Sequence, residues 1–225
     1  MTQAADRSFS DLQSAARTLN LTILCALDKQ TCDQRDDLPP GTACLLLLSP
    51  DEPAFWPAFT QSPEFRDGAP DPMDRWSRRI AGSLARDIGA HPLFPFGGPP
   101  HHNFVDWARA SERAFASPLG MLVHPQTGLW LSFRAALALP HPVKELPAPV
   151  SSPCDSCTTR PCLSACPVSA FGPDGYDTRA CRTFLQQPGG NDCMSHGCLA
   201  RRACPRGRNH GRFSAHSAYH MHHFL

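Results

Sequence analysis

Eight of the eleven cysteines lie in one stretch of the chain, between Cys154 and Cys204, and this clustering constrains the fold more than any other feature of the sequence. The other three are scattered singly, at Cys25, Cys32 and Cys44. In a secreted chain such a density of thiols would predict disulfides, but the N-terminus has no cationic segment followed by an apolar one. We therefore predict a cytoplasmic protein in which the clustered cysteines bind metal.

The spacing of these eight cysteines is typical of iron–sulfur proteins. The first run is Cys154-x2-Cys157-x4-Cys162-x3-Cys166-Pro167, and the second is Cys181-x11-Cys193-x4-Cys198-x5-Cys204-Pro205. In two-cluster ferredoxins the cysteine that precedes proline at the end of a run binds the other cluster. This rule predicts two [4Fe-4S] clusters, one bound by Cys154, Cys157, Cys162 and Cys204 and the other by Cys166, Cys181, Cys193 and Cys198.

Zinc is the main alternative for these cysteines, because two four-cysteine zinc sites would also use eight thiolates. Zinc sites favour pairs of closely spaced cysteines and have no need of the Cys-Pro endings, so the sequence favours iron–sulfur clusters. The x4 and x5 spacings are wider than the usual ferredoxin spacings, which leaves the cluster type and the assignment of Cys181 open.

Histidines crowd the C-terminal end of the sequence. A helix over HSAYHMHHF would place His216, His220 and His223 on one face, as a candidate ligand set. The cysteines already satisfy two clusters, and terminal segments are often loosely held. We therefore interpret this segment as an exposed or docked terminal helix.

Five prolines between Pro140 and Pro153 predict a linker, because proline fixes φ and removes a backbone donor. We predict two domains, residues 1–145 and residues 146–225. In the first, helical and β-like segments alternate irregularly, and the strongest helix begins at Asp71-Pro72 and ends before Gly89. This order predicts an α+β fold with a mainly antiparallel sheet.

The overall charge argues against two classes of partner. Lysine and arginine total 21 against 20 acidic residues, a formal net charge of +1. Such a chain has no global basic field to attract a phosphate backbone or an anionic membrane, so we expect no nucleic-acid partner. The longest apolar run, Ala43 to Leu48, is far shorter than the ~20 residues of a membrane-spanning helix, so we expect no membrane association either.

Two family resemblances follow from these motifs. The segments PCDSCTTRPCLSACPVSAF, YDTRACRTFL and GCLARRACP resemble the dicluster module of epoxyqueuosine reductases and of related corrinoid-dependent reductive dehalogenases. The segments ACLLLLSPDEPAFWPAFTQSPEF, DPMDRWSRRI and GMLVHPQTGLWLSFRAALALP resemble the CblC-type cobalamin-processing domain. Together they cover most of residues 42 to 205.

The resemblance implies a flavin-reductase/nitroreductase-like domain that binds a base-off corrinoid such as cobalamin, with a small two-cluster ferredoxin-like domain behind it. Arg134 matches an arginine that lines the pocket and contacts the thiol cosubstrate in the CblC-type family. His124 and Trp130 belong to the same motif, although both could simply fill the core, and Arg134 could be a surface or strand-edge charge. The acidic proton donor of epoxyqueuosine reductases has no clear counterpart in ASERAFASPLGML.

These features predict a redox protein in which two clusters pass single electrons to a corrinoid or similar cofactor in the N-terminal domain. The activity of such a protein would be that of a corrinoid-linked oxidoreductase. Its expected partner is an electron donor or acceptor protein. The alternative is a ferredoxin-like electron carrier whose N-terminal domain docks a partner protein. Uptake of cobalamin would distinguish the two functions.

Overall fold

The protein was analysed as a computed structural model that describes residues 7–173 and 175–225. The chain divides into two compact units. The first consists of the described residues up to Arg113 together with Ser132–Val150, and the second consists of Ala114–Leu131 and Ser151–Leu225. The linker predicts a single boundary at residues 145 and 146, whereas in the structure the segment Ala114–Leu131 packs with the C-terminal part of the chain.

The described residues form ten α-helices and eight strands. The α-helices are α1 Phe9–Thr18, α2 Lys29–Asp33, α3 Phe55–Thr60, α4 Pro63–Arg66, α5 Pro72–Ile88, α6 Phe104–Ala110, α7 Thr178–Leu185, α8 Asn191–His196, α9 Leu199–Arg202 and α10 Ser214–Phe224. The strands are β1 Leu21–Leu27, β2 Cys44–Pro50, β3 His91–Leu93, β4 Phe115–Ala116, β5 Leu122–Val123, β6 Ala135–Leu139, β7 Phe171–Gly172 and β8 Gly175–Tyr176.

The first unit is built on a four-stranded sheet in the order β1-β2-β6-β3, in which every neighbouring pair is antiparallel. Every residue of the two central strands, β2 and β6, is buried. A strand buried on both faces needs a continuous apolar sequence, and CLLLLSP and AALAL provide it. Helices α1 and α6 pack against β1, and α5 packs against β3 and β6. The predicted α+β class with antiparallel strands is confirmed.

Helix α5 matches its sequence pattern closely. It begins at Pro72 and ends at Ile88, and Gly89 closes it in the left-handed conformation with φ +69°. Met73, Trp76 and Ile88 on its apolar stripe are buried. Asp71 precedes the helix as predicted, but its side chain makes no capping hydrogen bond.

Two apolar segments form shorter elements than their sequence patterns predict. The pattern from Phe104 to Phe115 predicts one helix, but α6 ends at Ala110, and Phe115 instead pairs with Val123 in the β4–β5 hairpin. In the run LWLSFRAALAL only Ala135–Leu139 joins the main sheet. The first part of that run carries buried residues without strand pairing, because Leu129 and Trp130 belong to the second unit.

The second unit consists of short helices and turns around a small apolar core. We call Ala114–Leu131 the inserted segment. Its residues Leu119, Val123 and Leu129 pack with Cys162, Ala200 and Cys204. Its regular strands form only the two-stranded pairs β4–β5 and β7–β8 in the described residues. No helix in the described ranges is both long and apolar enough to cross a membrane.

Candidate functional site

Four cysteines of the second unit surround one cavity of about 350 Å³. We call Cys154, Cys157, Cys162 and Cys204 the first thiol group. Cys162 lies in the 3-10 helix Pro161–Leu163, and Cys204 directly precedes the 3-10 helix Pro205–Gly207. In both places a proline starts the short helix, where its missing N–H costs no hydrogen bond. The fold thus brings the last cysteine of the second run next to three cysteines of the first run.

The cavity is lined by apolar side chains as well as by thiols. Pro118, Val123 and Leu129 form part of its wall. Cys162 and Cys204 are buried, and Cys154 packs against the same apolar core. An apolar shell of this kind limits the access of water to a metal centre and thereby affects its redox potential.

The thiols of the first group influence one another electrostatically. Burial raises the pKa of Cys154, and repulsion from Cys204, Cys162 and Cys157 raises it further. Burial also raises the pKa of Cys162, again with contributions from Cys204 and Cys157. Four thiolates at this spacing would repel one another, and the positive charge of a bound metal centre would compensate that repulsion and favour deprotonation of the thiols.

The other four cysteines form a second thiol group, consisting of Cys166, Cys181, Cys193 and Cys198. Cys181 lies on α7, Cys193 lies on α8, and Cys198 caps α9. Burial raises the pKa of Cys181, with further repulsion from Cys198 and Cys166. Burial likewise raises the pKa of Cys193, with a contribution from Cys198. Each thiol that contributes to these two shifts belongs to the second group.

Hydrogen bonds reach the sulfur atoms of three cysteines of the second group. A backbone hydrogen bond from Leu199 acts to lower the pKa of Cys193. The backbone N–H of Ala170 donates to Cys166 Sγ at 3.3 Å. The hydroxyl of Tyr176 donates to Cys181, and this bond acts to lower the thiol pKa against the effect of burial. Hydrogen bonds to ligand sulfurs are one of the means by which proteins set the potential of an iron–sulfur cluster.

In neither thiol group do the sulfur atoms meet at one point, as the ligands of a single metal ion would. Within residues 7–173 and 175–225, no three His, Cys, Asp or Glu side chains form a site for a single ion. In a cubane cluster the thiolates sit at the corners of a larger unit with several irons, so its cysteines surround a volume rather than a point. The four thiols of the first group likewise line a volume, the cavity of about 350 Å³.

Two of the three predicted pocket residues are packed inside the second unit. His124 is fully buried, and its Nδ1 accepts a hydrogen bond from the backbone N–H of Gln126 at 3.2 Å. The Trp130 ring lies near two guanidinium groups, with its centroid 4.8 Å from Arg201 Cζ and 5.0 Å from Arg212 Cζ. Both side chains therefore have packing roles in this unit.

Arg134, the third predicted pocket residue, belongs to the first unit. Its Nη2 donates to Asp74 Oδ1 at 2.7 Å, and its Nε donates to Ser77 Oγ at 3.0 Å. Its guanidinium also lies 5.5 Å from the centroid of the Phe96 ring. Helix α5 supplies both polar partners and so fixes the orientation of the guanidinium.

Three residues that the sequence does not single out, Arg201, Gly128 and Gly207, connect the segments next to the first thiol group. Arg201 Nε donates to the carbonyl of Leu129 at 2.8 Å, which ties α9 to the inserted segment. Gly128 and Gly207 approach so closely that a Cβ on Gly128 would lie 2.5 Å from Gly207 N. The turn-like sequence Gln126-Thr127-Gly128 draws attention to Gly128. Nothing in the sequence indicates that Gly207 is its neighbour.

The C-terminal histidines lie on α10, which packs against α8. His216 is fully buried, and its Nε2 shares a hydrogen bond with His220 Nε2 at 3.1 Å. His223 Nδ1 instead bonds to the carbonyl of Tyr219 at 2.8 Å. The terminal helix is therefore docked, and two of the three histidines of the candidate set contact each other.

Comparisons with known proteins gave structural matches only. No family model matches the sequence, and no curated protein matches it either. Two similar solved structures are epoxyqueuosine reductases. The first, labelled with selenomethionine, is 14% identical with a TM-score of 0.53, and the match covers 93% of this chain and 68% of that one. The second, from Bacillus subtilis, has its catalytic aspartate loop swung out of the active site; it is 15% identical with a TM-score of 0.50 and coverages of 91% and 66%.

A third similar structure corrects one expectation. It is an epoxyqueuosine reductase with a modified tRNA stem loop, 14% identical with a TM-score of 0.45, and the match covers 91% of this chain and 66% of that one. Because that protein was solved with RNA, the prediction of no nucleic-acid partner is wrong as an exclusion. The net charge misled because the second unit carries eight arginines and four aspartates, an excess that acidic residues of the first unit mask.

The chain spans about two thirds of the length of these structures. At this level of identity the likeness concerns the fold. Over about nine tenths of its length, the chain has the fold of epoxyqueuosine reductases.

Proposed function

We propose that this chain is an iron–sulfur oxidoreductase that holds two [4Fe-4S] clusters in its second unit. The observation that carries the proposal is the cavity of about 350 Å³ whose wall contains all four thiols of the first group. Cys204 is far from the other three along the chain, yet it lines the same cavity. Such a volume enclosed by four thiols suits a cubane cluster.

The donor chemistry of both groups fits such a cluster. Each group contains four cysteines, and the thiols that shift the pKa of Cys154, Cys162, Cys181 and Cys193 come from the same group in each case. The N–H of Ala170 and the hydroxyl of Tyr176 would stabilise negative charge on the sulfurs of the second group. A bound [4Fe-4S] cluster supplies one-electron redox chemistry, and these residues hold and tune it.

We further propose that the electrons reduce an epoxide-bearing nucleoside in RNA. The support is the fold shared with two epoxyqueuosine reductases. Removal of an epoxide oxygen as water consumes two electrons and two protons, and two one-electron centres match that demand. The excess of arginine in the second unit provides local positive charge for a phosphate backbone.

A corrinoid held through Arg134 of the first unit is the remaining part of this proposal. Its support is the resemblance of HPQTGLWLSFR to the CblC-type family, together with the nitroreductase-like fold which that resemblance implies. Of that segment, only residues 132–134 belong to the first unit. Arg134 is the residue for which a role can be stated. Its planar guanidinium, oriented by Asp74 and Ser77, would hold a carboxylate or amide edge of the ligand by paired hydrogen bonds.

Metal analysis tests the cluster assignment. Protein prepared without oxygen should contain about eight irons and a similar amount of acid-labile sulfide per chain, because each group of four thiols binds four irons. Zinc at about two equivalents with no sulfide would contradict the assignment and support two structural zinc sites.

A turnover assay tests the substrate and the corrinoid together. We expect the reduced protein to convert an epoxyqueuosine-containing stem loop only when cobalamin is added, and we expect Arg134→Lys to lower cobalamin affinity about tenfold although it keeps the charge. Product chromatography and the cobalamin absorbance would measure these effects. Conversion without cobalamin would refute the corrinoid role, and no conversion with intact clusters would favour the electron-carrier alternative.

A further inference from the structure

Two exposed arginines, Arg160 and Arg206, line the cavity that contains the first thiol group. Arg206 Nη2 lies 3.5 Å from Ser156 Oγ. In the described part of the chain, no carboxylate forms an ion pair with either guanidinium. The cavity lining therefore carries two cations that no carboxylate of the described residues pairs with.

The backbone around the first of these arginines is unusual. Arg160 adopts the left-handed conformation, with φ 39° and ψ 53°, directly before the 3-10 helix that carries Cys162. Glycine or asparagine would adopt this conformation at lower cost. An exposed arginine in this position is therefore not explained by the needs of the local fold.

An exposed apolar residue lies three positions after Arg160. Leu163 is 44% exposed, and its backbone N–H donates to the carbonyl of Arg160 at 3.0 Å. Protein interfaces combine an apolar centre with a polar rim, and the interfaces of electron-transfer complexes bury a small area. We call Arg160, Leu163 and Arg206 the rim surface.

We propose that the rim surface docks an acidic one-electron carrier protein that reduces the first cluster. The proposal rests on the proposed function, since it requires a cluster in the cavity. One electron leaves the reduced carrier and enters the cluster, whose charge falls from 2+ to 1+, and no bond or proton is exchanged. Opposite charges steer such partners together and accelerate their association.

The position of the rim surface favours a carrier protein over RNA as its occupant. Electron transfer slows steeply with distance, so a carrier gains from docking directly over the cavity that holds the thiols. A nucleic acid gains only phosphate contacts there, and an exposed leucine contributes little to those contacts. The surface thus suits a protein with carboxylates around an apolar patch.

The main test measures binding of an oxidised, fluorescently labelled flavodoxin to the full chain with its clusters reconstituted. We expect the double variant Arg160→Gln/Arg206→Gln to bind flavodoxin about tenfold more weakly than the wild type at about 10 mM ionic strength. This difference should shrink at about 0.1 M, because the Debye length falls from about 30 Å to about 10 Å. Asp155→Asn removes an exposed acid beside Cys154 and should strengthen binding. Fluorescence anisotropy measures all of these affinities.

Arg179→Gln is the matched control, because it removes the same charge from an exposed site on α7, in a separate hollow next to the second thiol group. It should change flavodoxin affinity less than twofold. A second readout is the ratio of cluster reduction rates by reduced flavodoxin and by methyl viologen, followed by stopped-flow bleaching. This ratio should fall about tenfold in the double variant and stay near the wild-type value in Arg179→Gln.

Unaltered flavodoxin affinity of the double variant would overturn the proposal, as would an equal loss in Arg179→Gln. So would weaker binding of an RNA stem loop with unaltered flavodoxin binding, which would identify the rim surface as an RNA site. Absence of iron and sulfide from the wild-type protein would instead refute the proposed function. The metal analysis thus separates the two failures.

Discussion

Replacing Cys204 by alanine is expected to remove the cluster held by Cys154, Cys157 and Cys162 and to leave the other one intact. The reason is that Cys204 lines the same cavity as these three cysteines, although along the chain it lies nearer to Cys198 of the second group. Iron content should fall from about eight to about four per chain, since one group of four thiols is broken. Metal analysis and electron paramagnetic resonance of the reduced protein would measure the loss.

A set of matched variants identifies which cluster is lost. Cys157→Ala removes another member of the first group and should leave the same residual resonance spectrum as Cys204→Ala. Cys198→Ala belongs to the second group and should leave the complementary spectrum. Cys32→Ala removes a buried thiol of the first unit and should keep about eight irons. Identical spectra for Cys204→Ala and Cys198→Ala would contradict the division into two groups.

Much of the first unit could be predicted from the sequence because its signals are local. Strands β1 and β2 are apolar runs, and α5 carries a proline at its start, a glycine at its end and a regular apolar stripe. The cysteine groups could be formulated as a hypothesis for a similar reason, since spacing within a run is a local property. Iron binding by these groups stays a prediction.

The inserted segment could not be predicted, because its packing depends on contacts that are distant along the chain. The Pro-rich linker is a strong compositional signal and predicts a single domain boundary. It says nothing of Leu119, Val123 and Leu129, which pack with Cys162 and Cys204. For the same reason, the motif around Trp130 does not reveal that Arg201 and Arg212 lie close to its ring. The role of Trp130 in a pocket stays a prediction.

The uneven distribution of charge was also invisible in the total. A net charge of +1 describes the whole chain, while binding depends on local potential. The second unit alone has twice as many arginines as aspartates. The boundary of that unit has to be known before this excess can be seen.

Gly128→Ala is expected to be the most disruptive small substitution in the second unit. Gly128 has φ +57°, and an added Cβ would lie 2.5 Å from Gly207 N and 2.9 Å from Gly207 Cα. Left-handed backbone costs alanine about 1 to 2 kcal/mol, and forcing two backbones apart adds about 1 to 3 kcal/mol. We expect the free energy of unfolding to fall by about 2 to 5 kcal/mol in denaturant titrations followed by circular dichroism.

Gly120→Ala separates backbone strain from this clash. Gly120 lies in the same inserted segment with φ +73°, but a Cβ there would meet no atom within 4 Å. This variant should lose only about 1 to 2 kcal/mol and keep its iron. In Gly128→Ala, the displaced backbone belongs to the turn that follows Cys204, because Gly207 N donates to the carbonyl of Cys204 at 3.1 Å. Iron loss confined to the first cluster is therefore expected in that variant, and equal stability and iron content in the two variants would show that the close approach of Gly128 to Gly207 does not hold Cys204 in place.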